Sequence, residues 1–355
     1  MVLLAFIICV LASIAITPLV KKFAVAIGAV DKPNYRKVHQ RIMPRMGGLA
    51  IFISFLIGMV VLRPTAPFEQ PLINPAIIIG SIVIILTGVL DDRFELSAKV
   101  KLAGQLLAAL VVVVYGGVQI NFVNLPFGGT IEFGYLSIPL TILWIVAITN
   151  AINLIDGLDG LAAGVSTIAL LTISLMAFMK GDLYVMSVAL IVAGSAIGFL
   201  KYNFHPAKIF MGDTGALFLG FIISVLSLLG FKNITFVSLI IPIIILGVPI
   251  SDTIFAIIRR KLNNQPISAP DKSHLHHCLL RTGYTHKQTV LIIYAIAMMF
   301  GLAAIIFSMA KVWGAIILIG VITLAIELFV ESVGLIGNDY KPLLNFVKGG
   351  TKKNL

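Results

Sequence analysis

The sequence predicts an all-α integral membrane protein of about eleven transmembrane helices, ten or eleven by the softness of the boundaries, and three observations carry that reading. Apolar residues make up 59% of the 355 residues and charged residues only 12%, too few charges to cover a water-facing surface. The mean hydropathy of +1.07 gathers in runs of about twenty residues, enough to cross roughly 30 Å of hydrocarbon as helices that satisfy their own backbone hydrogen bonds. Lys and Arg are unevenly divided between alternate loops: 22 of the 26 fall on one side, which marks that side as cytoplasmic.

The elements follow in order. The first run, 2–20, has no small-residue cleavage site and leads into Lys21 and Lys22, so a retained first helix with an outside N-terminus is expected. Further spans are expected at 46–62, 76–90, 102–115, 136–150, 161–179, 184–200, 215–230, 235–251, 289–308 and 312–330. A tail at 331–355 then lies in the cytoplasm, and residues 1–355 form one polytopic domain. Between the fourth and fifth spans, "QINFVNLPFGGTIEFG" at 119–134 alternates around a Pro-Phe-Gly-Gly turn and predicts a β-hairpin on the outer face. Cys9 and Cys278 fall on different levels of this topology, so no disulfide is expected. The net charge of +11 is accounted for by the cytoplasmic bias and the anionic leaflet, and it gives no evidence for nucleic-acid binding.

Carboxylates close to hydrocarbon are costly, and where they gather they suggest a functional site. Six map to the cytoplasmic ends of spans: Asp91 and Asp92 in "GVLDDRFELSAKVK", Asp156 and Asp159 in "NAINLIDGLDGLAAG", Asp213 in "FMGDTGA" and Asp252 in "GVPISDTIFAIIRRK". Acid groups delivered to one face by distant segments suit a hard cation such as Mg²⁺, which prefers oxygen ligands and bridges phosphates. Taken singly, Asp213 and Asp159 also read as helix caps. Adjacent Asp91 and Asp92 cannot share a helical face, so they are expected to differ in role, one binding metal and the other taking a proton. Lys99 and Lys101 follow at distances suited to phosphate contacts. His274, His276 and His277 in "DKSHLHHCLL" fit phosphate or sugar contact better than zinc, because Cys278 is a single thiol at the wrong spacing. The first basic loop, "DKPNYRKVHQRIMPRMGG", offers Asp31, Arg36, Lys37, His39, Arg41 and Arg45 beside two glycines, a setting for an anionic ligand such as a lipid phosphate.

In this order, "DKPNYRKVH" with "PRMGG", "LDD", "NLIDGLDG", "FMGDTG", "IIRR" and "HLHH" resemble the polyprenyl-phosphate N-acetylhexosamine-1-phosphate transferases, the glycosyltransferase 4 family, over most of the chain. The resemblance implies a cytoplasmic cleft, dependence on Mg²⁺ or Mn²⁺, and two substrates: UDP-N-acetylglucosamine and a polyprenyl (undecaprenyl) phosphate lying along a membrane-facing groove. The product would be undecaprenyl-diphospho-N-acetylglucosamine with release of UMP, the initiating step of a surface polysaccharide or teichoic acid, at the inner (cytoplasmic) membrane. Residue by residue, it implies Asp213, Asn153 and Asp92 as metal ligands and Asp91 and Asp92 at the reaction centre. Asp156, Asp159, Lys99, Asn203, Phe210, Arg259, Arg260, His274, His276 and His277 would face nucleotide or sugar. Direct attack and a covalent aspartyl intermediate both remain open, as does a homodimer. The phospho-N-acetylmuramoyl-pentapeptide transferases share the Asp motifs, but His-Leu-His-His and "QRIMPRMGG" depart from their loops. An ion-coupled transporter fits less well, since only Glu327 is an acid well inside a span.

Overall fold

The computed structural model describes residues 1–31, 42–124, 129–230, 236–266, 273–336 and 340–351. The chain begins with α1 (Val2–Ala26), followed by a two-residue antiparallel pair, β1 (Val30–Asp31) with β2 (Met43–Pro44), then α2 (Gly48–Leu62) and α3 (Ile73–Phe94). Helix α4 (Ala98–Leu110) continues through a π-helical turn at Val111–Tyr115 into the hairpin of β3 (Phe122–Asn124) and β4 (Thr130–Glu132). Helices α5 (Ser137–Leu154), α6 (Leu161–Met179), α7 (Leu183–Asn203) and α8 (Gly212–Leu229) form the centre. The remainder is α9 (Phe236–Ile245), α10 (Gly247–Leu262), α11 (Leu275–Arg281), α12 (His286–Met309), α13 (Val312–Val333) and α14 (Pro342–Thr351).

Nine helices among the described residues are long and apolar enough to cross a membrane, and the chain is a mostly helical, multi-pass membrane protein. Two of the eleven expected spans take other forms. The run at 46–62 forms the shorter α2, 15 residues long. The run at 235–251 is broken between α9 and α10 at Leu246, because Pro249 has no backbone N–H to donate to the Ile245 carbonyl and Gly247 adds no side chain to hold the helix. The expected hairpin is present, with Val123 opposite Ile131; its turn at 125–128 lies outside the described residues.

The most buried helix is α8, surrounded by α2, α3, α5, α6 and α7. Glycines set how closely its start is approached. Gly48 of α2 lies against Gly215, Gly88 of α3 against Thr214, and Gly220 of α8 against the backbone of Thr149 in α5; a Cβ at any of them would collide with backbone. These contacts pull the ends of α3 and α5 onto the first turn of α8. The loops consequently divide between the two ends of the bundle. One end gathers 42–47, 91–101, 153–160 and 203–213. The other holds the β3–β4 hairpin and a polar seam in which Gln70 donates to the Gly117 carbonyl and Tyr184 to Asn74.

Candidate active site

The first turn of α8 organises the site. Gly212 has a left-handed φ of 72°, and a Cβ there would strike the Asp92 carboxylate. Asp92 uses that space: Oδ1 accepts from Asp213 N at 3.0 Å, and Oδ2 accepts from Thr214 N at 3.1 Å and Thr214 Oγ1 at 2.6 Å. An aspartate at the end of α3 therefore caps the N-terminus of α8 and satisfies donors that the helix cannot pair itself. Asp213 does not serve as the cap, and its side chain is left for other work.

That side chain points to a second set of groups. Lys101 Nζ lies 2.7 Å from Asp213 Oδ2 and 3.3 Å from Asp91 Oδ2, and Asn153 stands beside Asp213 as well. One helical turn deeper, Gln105 of α4 and Asn150 of α5 exchange amide hydrogen bonds at 3.3 and 2.6 Å. This buried clamp ties together the helices that present Lys101 and Asn153.

Above the cluster opens a cleft of ≈ 430 Å³, a volume suited to a small-molecule site. Asp92, Asp156 and Asp213 line it at one side, and Asp159, Asn203, His205, Phe210, His277 and His286 at another, with an Asp31–Arg45 ion pair of 3.0 Å at its edge. The motif loops are joined by backbone: Phe210 N donates to Pro44 O, Gly47 N to Phe210 O and Gly48 N to Met211 O. Buried Asn203 ties two more, accepting from Gly160 N and donating to Ile209 O. Burial, and then the nearby charges of Asp213, Asp92 and Asp159, push the Asp156 carboxyl well above the usual carboxylate range.

Of the residues singled out from sequence, the structure brings Asp91, Asp92, Asn153, Asp156, Asp159, Asn203, Phe210, Asp213, His277 and Arg45 to this end of the bundle. Others stand apart. Lys99 is exposed at the start of α4, and Lys101, two residues on, reaches the carboxylates instead. Arg259 and Arg260 are buried, with Arg259 Nη1 donating to the Leu335 carbonyl rather than lining the cleft. His274 is held by Asp252, whose Oδ2 is 2.8 Å from Nδ1 and whose Oδ1 accepts from Leu275 N. His276 packs directly behind Gly157, where a side chain on Gly157 would overlap the ring. Burial, reinforced by His277, lowers its pKa to about 3, so it is a neutral prop for the 155–160 loop. Arg36, Lys37 and His39 lie outside the described residues.

Sequence reasoning did not select His205 or His286; it set Lys101 beside Lys99 as a phosphate contact and placed Asp31 in the first basic loop. The usable signal for His286 was local: it is the first residue of α12, directly after the N-cap Thr285 and within the Thr285–Gln288 capping box.

The donor set at the base of the cleft is oxygen-only apart from Lys101. Asp91, Asp92, Asp156 and Asp213 face one ammonium group among the described residues. Clustered carboxylates with a displaced proton affinity at Asp156 fit a hard divalent cation, with Asp213 and Asn153 best placed to hold it.

Comparison with known proteins gives a consistent set of relatives. The model of "Glycosyl transferase family 4" matches residues 74–231, a segment that contains Asp91, Asp92, Asn153, Asp156, Asp159 and Asp213. A "Probable undecaprenyl-phosphate N-acetylglucosaminyl 1-phosphate transferase" of Bacillus subtilis (strain 168) is 51% identical over 355 residues, covering 99% of this chain and 98% of that one. A "Decaprenyl-phosphate N-acetylglucosaminephosphotransferase" of Mycobacterium tuberculosis is 38% identical, covering 86% and 84%. An "Undecaprenyl-phosphate alpha-N-acetylglucosaminyl 1-phosphate transferase" of Yersinia pestis is 28% identical, covering 83% and 81%.

Proposed function

The chain belongs to glycosyl transferase family 4, and from that premise we propose that it transfers N-acetylglucosamine-1-phosphate from UDP-N-acetylglucosamine to undecaprenyl phosphate, releasing UMP. The observation that carries this reading is the convergence of Asp91, Lys101 and Asn153, from three helices, on Asp213 of a fourth, which lines the cleft. The Bacillus subtilis relative, matched over 99% of this chain, and the Yersinia pestis relative, matched over 83% of it, carry names of this activity.

In the proposed reaction an oxygen of the lipid phosphate attacks the sugar-bearing phosphorus of the diphosphate, and the bond from that phosphorus to the UMP oxygen breaks. Two anions must meet, so positive charge must be fixed in place beforehand. Lys101 supplies one such charge and Arg45 a second at the edge of the cleft. Asp91 is the freer of the paired aspartates, because both oxygens of Asp92 are occupied by α8. We assign Asp91 to receive a proton from the incoming lipid phosphate and Asp92 to hold the first turn of α8. Asp213 and Asn153 would hold Mg²⁺ or Mn²⁺, which supplies charge neutralisation to the diphosphate when bound. Direct displacement is the reading we adopt over an aspartyl intermediate, with Asp91 as the proton acceptor. The cleft end is proposed to face the cytoplasm of the inner membrane, as the Lys and Arg distribution supports.

Purified protein in detergent, given UDP-N-acetylglucosamine, should release UMP only with both undecaprenyl phosphate and Mg²⁺ present. Turnover of UDP-N-acetylmuramoyl pentapeptide with none of UDP-N-acetylglucosamine would move the chain to the peptidoglycan branch.

A further inference from the structure

The mouth of the cleft holds a constellation that the oxygen-lined base does not use. Asp159, from the loop between α5 and α6, His205, from the loop between α7 and α8, and His286, at the start of α12, place a ligand atom each within 4.8 Å of one another. His205 Nδ1 is 2.8 Å from Asp159 Oδ2, His286 Nε2 is 3.0 Å from Asp159 N, and the two rings stack with centroids 4.2 Å apart. Ala207 N also donates to Asp159 Oδ2 at 3.1 Å, fixing the carboxylate from behind as the outer partners of metal ligands do. The His205 side chain is 40% exposed and that of Asp159 17%, so the cluster is reached from solvent on the His205 side.

We propose that Asp159, His205 and His286 form a binding site for a borderline transition-metal cation of the Zn²⁺ class, separate from the hard-cation site at the base of the cleft. Two imidazoles and one carboxylate are the ligands such ions select over Mg²⁺, and three protein ligands leave a fourth position for water. Binding requires His286 Nε2 to exchange the Asp159 N–H for the ion and the His205–Asp159 hydrogen bond to open by a few tenths of an ångström. At an exposed mouth the freed N–H turns to water. Resting on the function proposed above, an ion here obstructs the entrance through which the nucleotide sugar passes, so the site makes the enzyme sensitive to Zn²⁺ at fixed Mg²⁺.

The test uses the full-length protein in detergent, stripped of metal and titrated with Co²⁺ without substrate. One equivalent should bind with the visible absorption of a nitrogen–oxygen site, and Zn²⁺ should displace it. Asp213→Asn should keep that absorption, whereas His205→Ala and His286→Gln should each lose it; the glutamine can still accept from Asp159 N, which guards against simple misfolding. A folded wild type with no absorption, or variants that retain it, would overturn the site and leave the three residues as a hydrogen-bonded clasp. In the activity arm, Zn²⁺ should inhibit wild type at concentrations about tenfold or more below those needed for His286→Gln. Equal sensitivity would overturn the obstruction, while absence of any turnover would count against the proposed function and leave the cobalt result standing.

Discussion

Lys101 and Asp213 meet at 2.7 Å across 112 residues of sequence. The contact requires α3 and α5 to pack closely on α8, which the glycines at 88 and 220 allow, and α4 to pack in turn on α3 and α5.

That contact separates two lysines that look alike in sequence. Lys101→Met should lower UMP release about a hundredfold or more, because it removes a fixed cation beside the reacting diphosphate. Lys99→Met, at an exposed position, should stay within about twofold of wild type. Measuring both at saturating substrates decides the matter; equal losses would mean that the ion pair with Asp213 is not used in turnover.

Asp92 and Asp213 should fail in different ways. Asp92→Ala strips three hydrogen bonds from a buried helix start and should cost about 1–3 kcal/mol of stability, read as a lower Tm in detergent. Asp213→Asn leaves that cap in place, so Tm should barely move while activity falls by orders of magnitude and the Mg²⁺ optimum rises. Near-normal activity of Asp213→Asn at low Mg²⁺ would remove it from the metal site.

The raised pKa of Asp156 makes a prediction about pH. A carboxyl that holds its proton more tightly folded than unfolded stabilises the fold below its unfolded pKa, near 3.9, and loses that contribution as pH climbs through the folded pKa. In EDTA, wild-type stability should therefore fall with rising pH over that window, and Asp156→Asn should flatten the fall. Mg²⁺ should restore much of the loss by offsetting the carboxylate charges. Thermal unfolding across a pH series, with and without Mg²⁺, checks the sign; a steeper fall in Asp156→Asn would refute it.

The Gln105–Asn150 clamp predicts non-additivity. Asn150→Leu leaves Gln105 buried without its partner and should cost about 1–3 kcal/mol. Gln105→Leu with Asn150→Leu should recover part of that, since neither amide then remains unpaired. Double-mutant analysis of Tm would read the coupling, and simple addition of the two losses would argue against a paired clamp.

Composition alone settled the solvent of this protein. A chain with 12% charge has to place its backbone in lipid as helices, so fold class, most spans and the hairpin between α4 and α5 were legible residue by residue. The six acids were legible too, because a carboxylate beside hydrocarbon is too costly to leave unexplained. What each acid does was not. Asp213 and Asp92 look alike as helix-end aspartates, and only the packing of α3 against α8 makes Asp92 the cap and leaves Asp213 facing Lys101. Likewise the break at Leu246, the burial of Arg259 and the placing of His276 behind Gly157 depend on what stands opposite each side chain. Hydrophobicity and charge act through local runs, which sequence displays; the role of a polar group depends on partners that packing brings from 100 residues away, and no single run contains them.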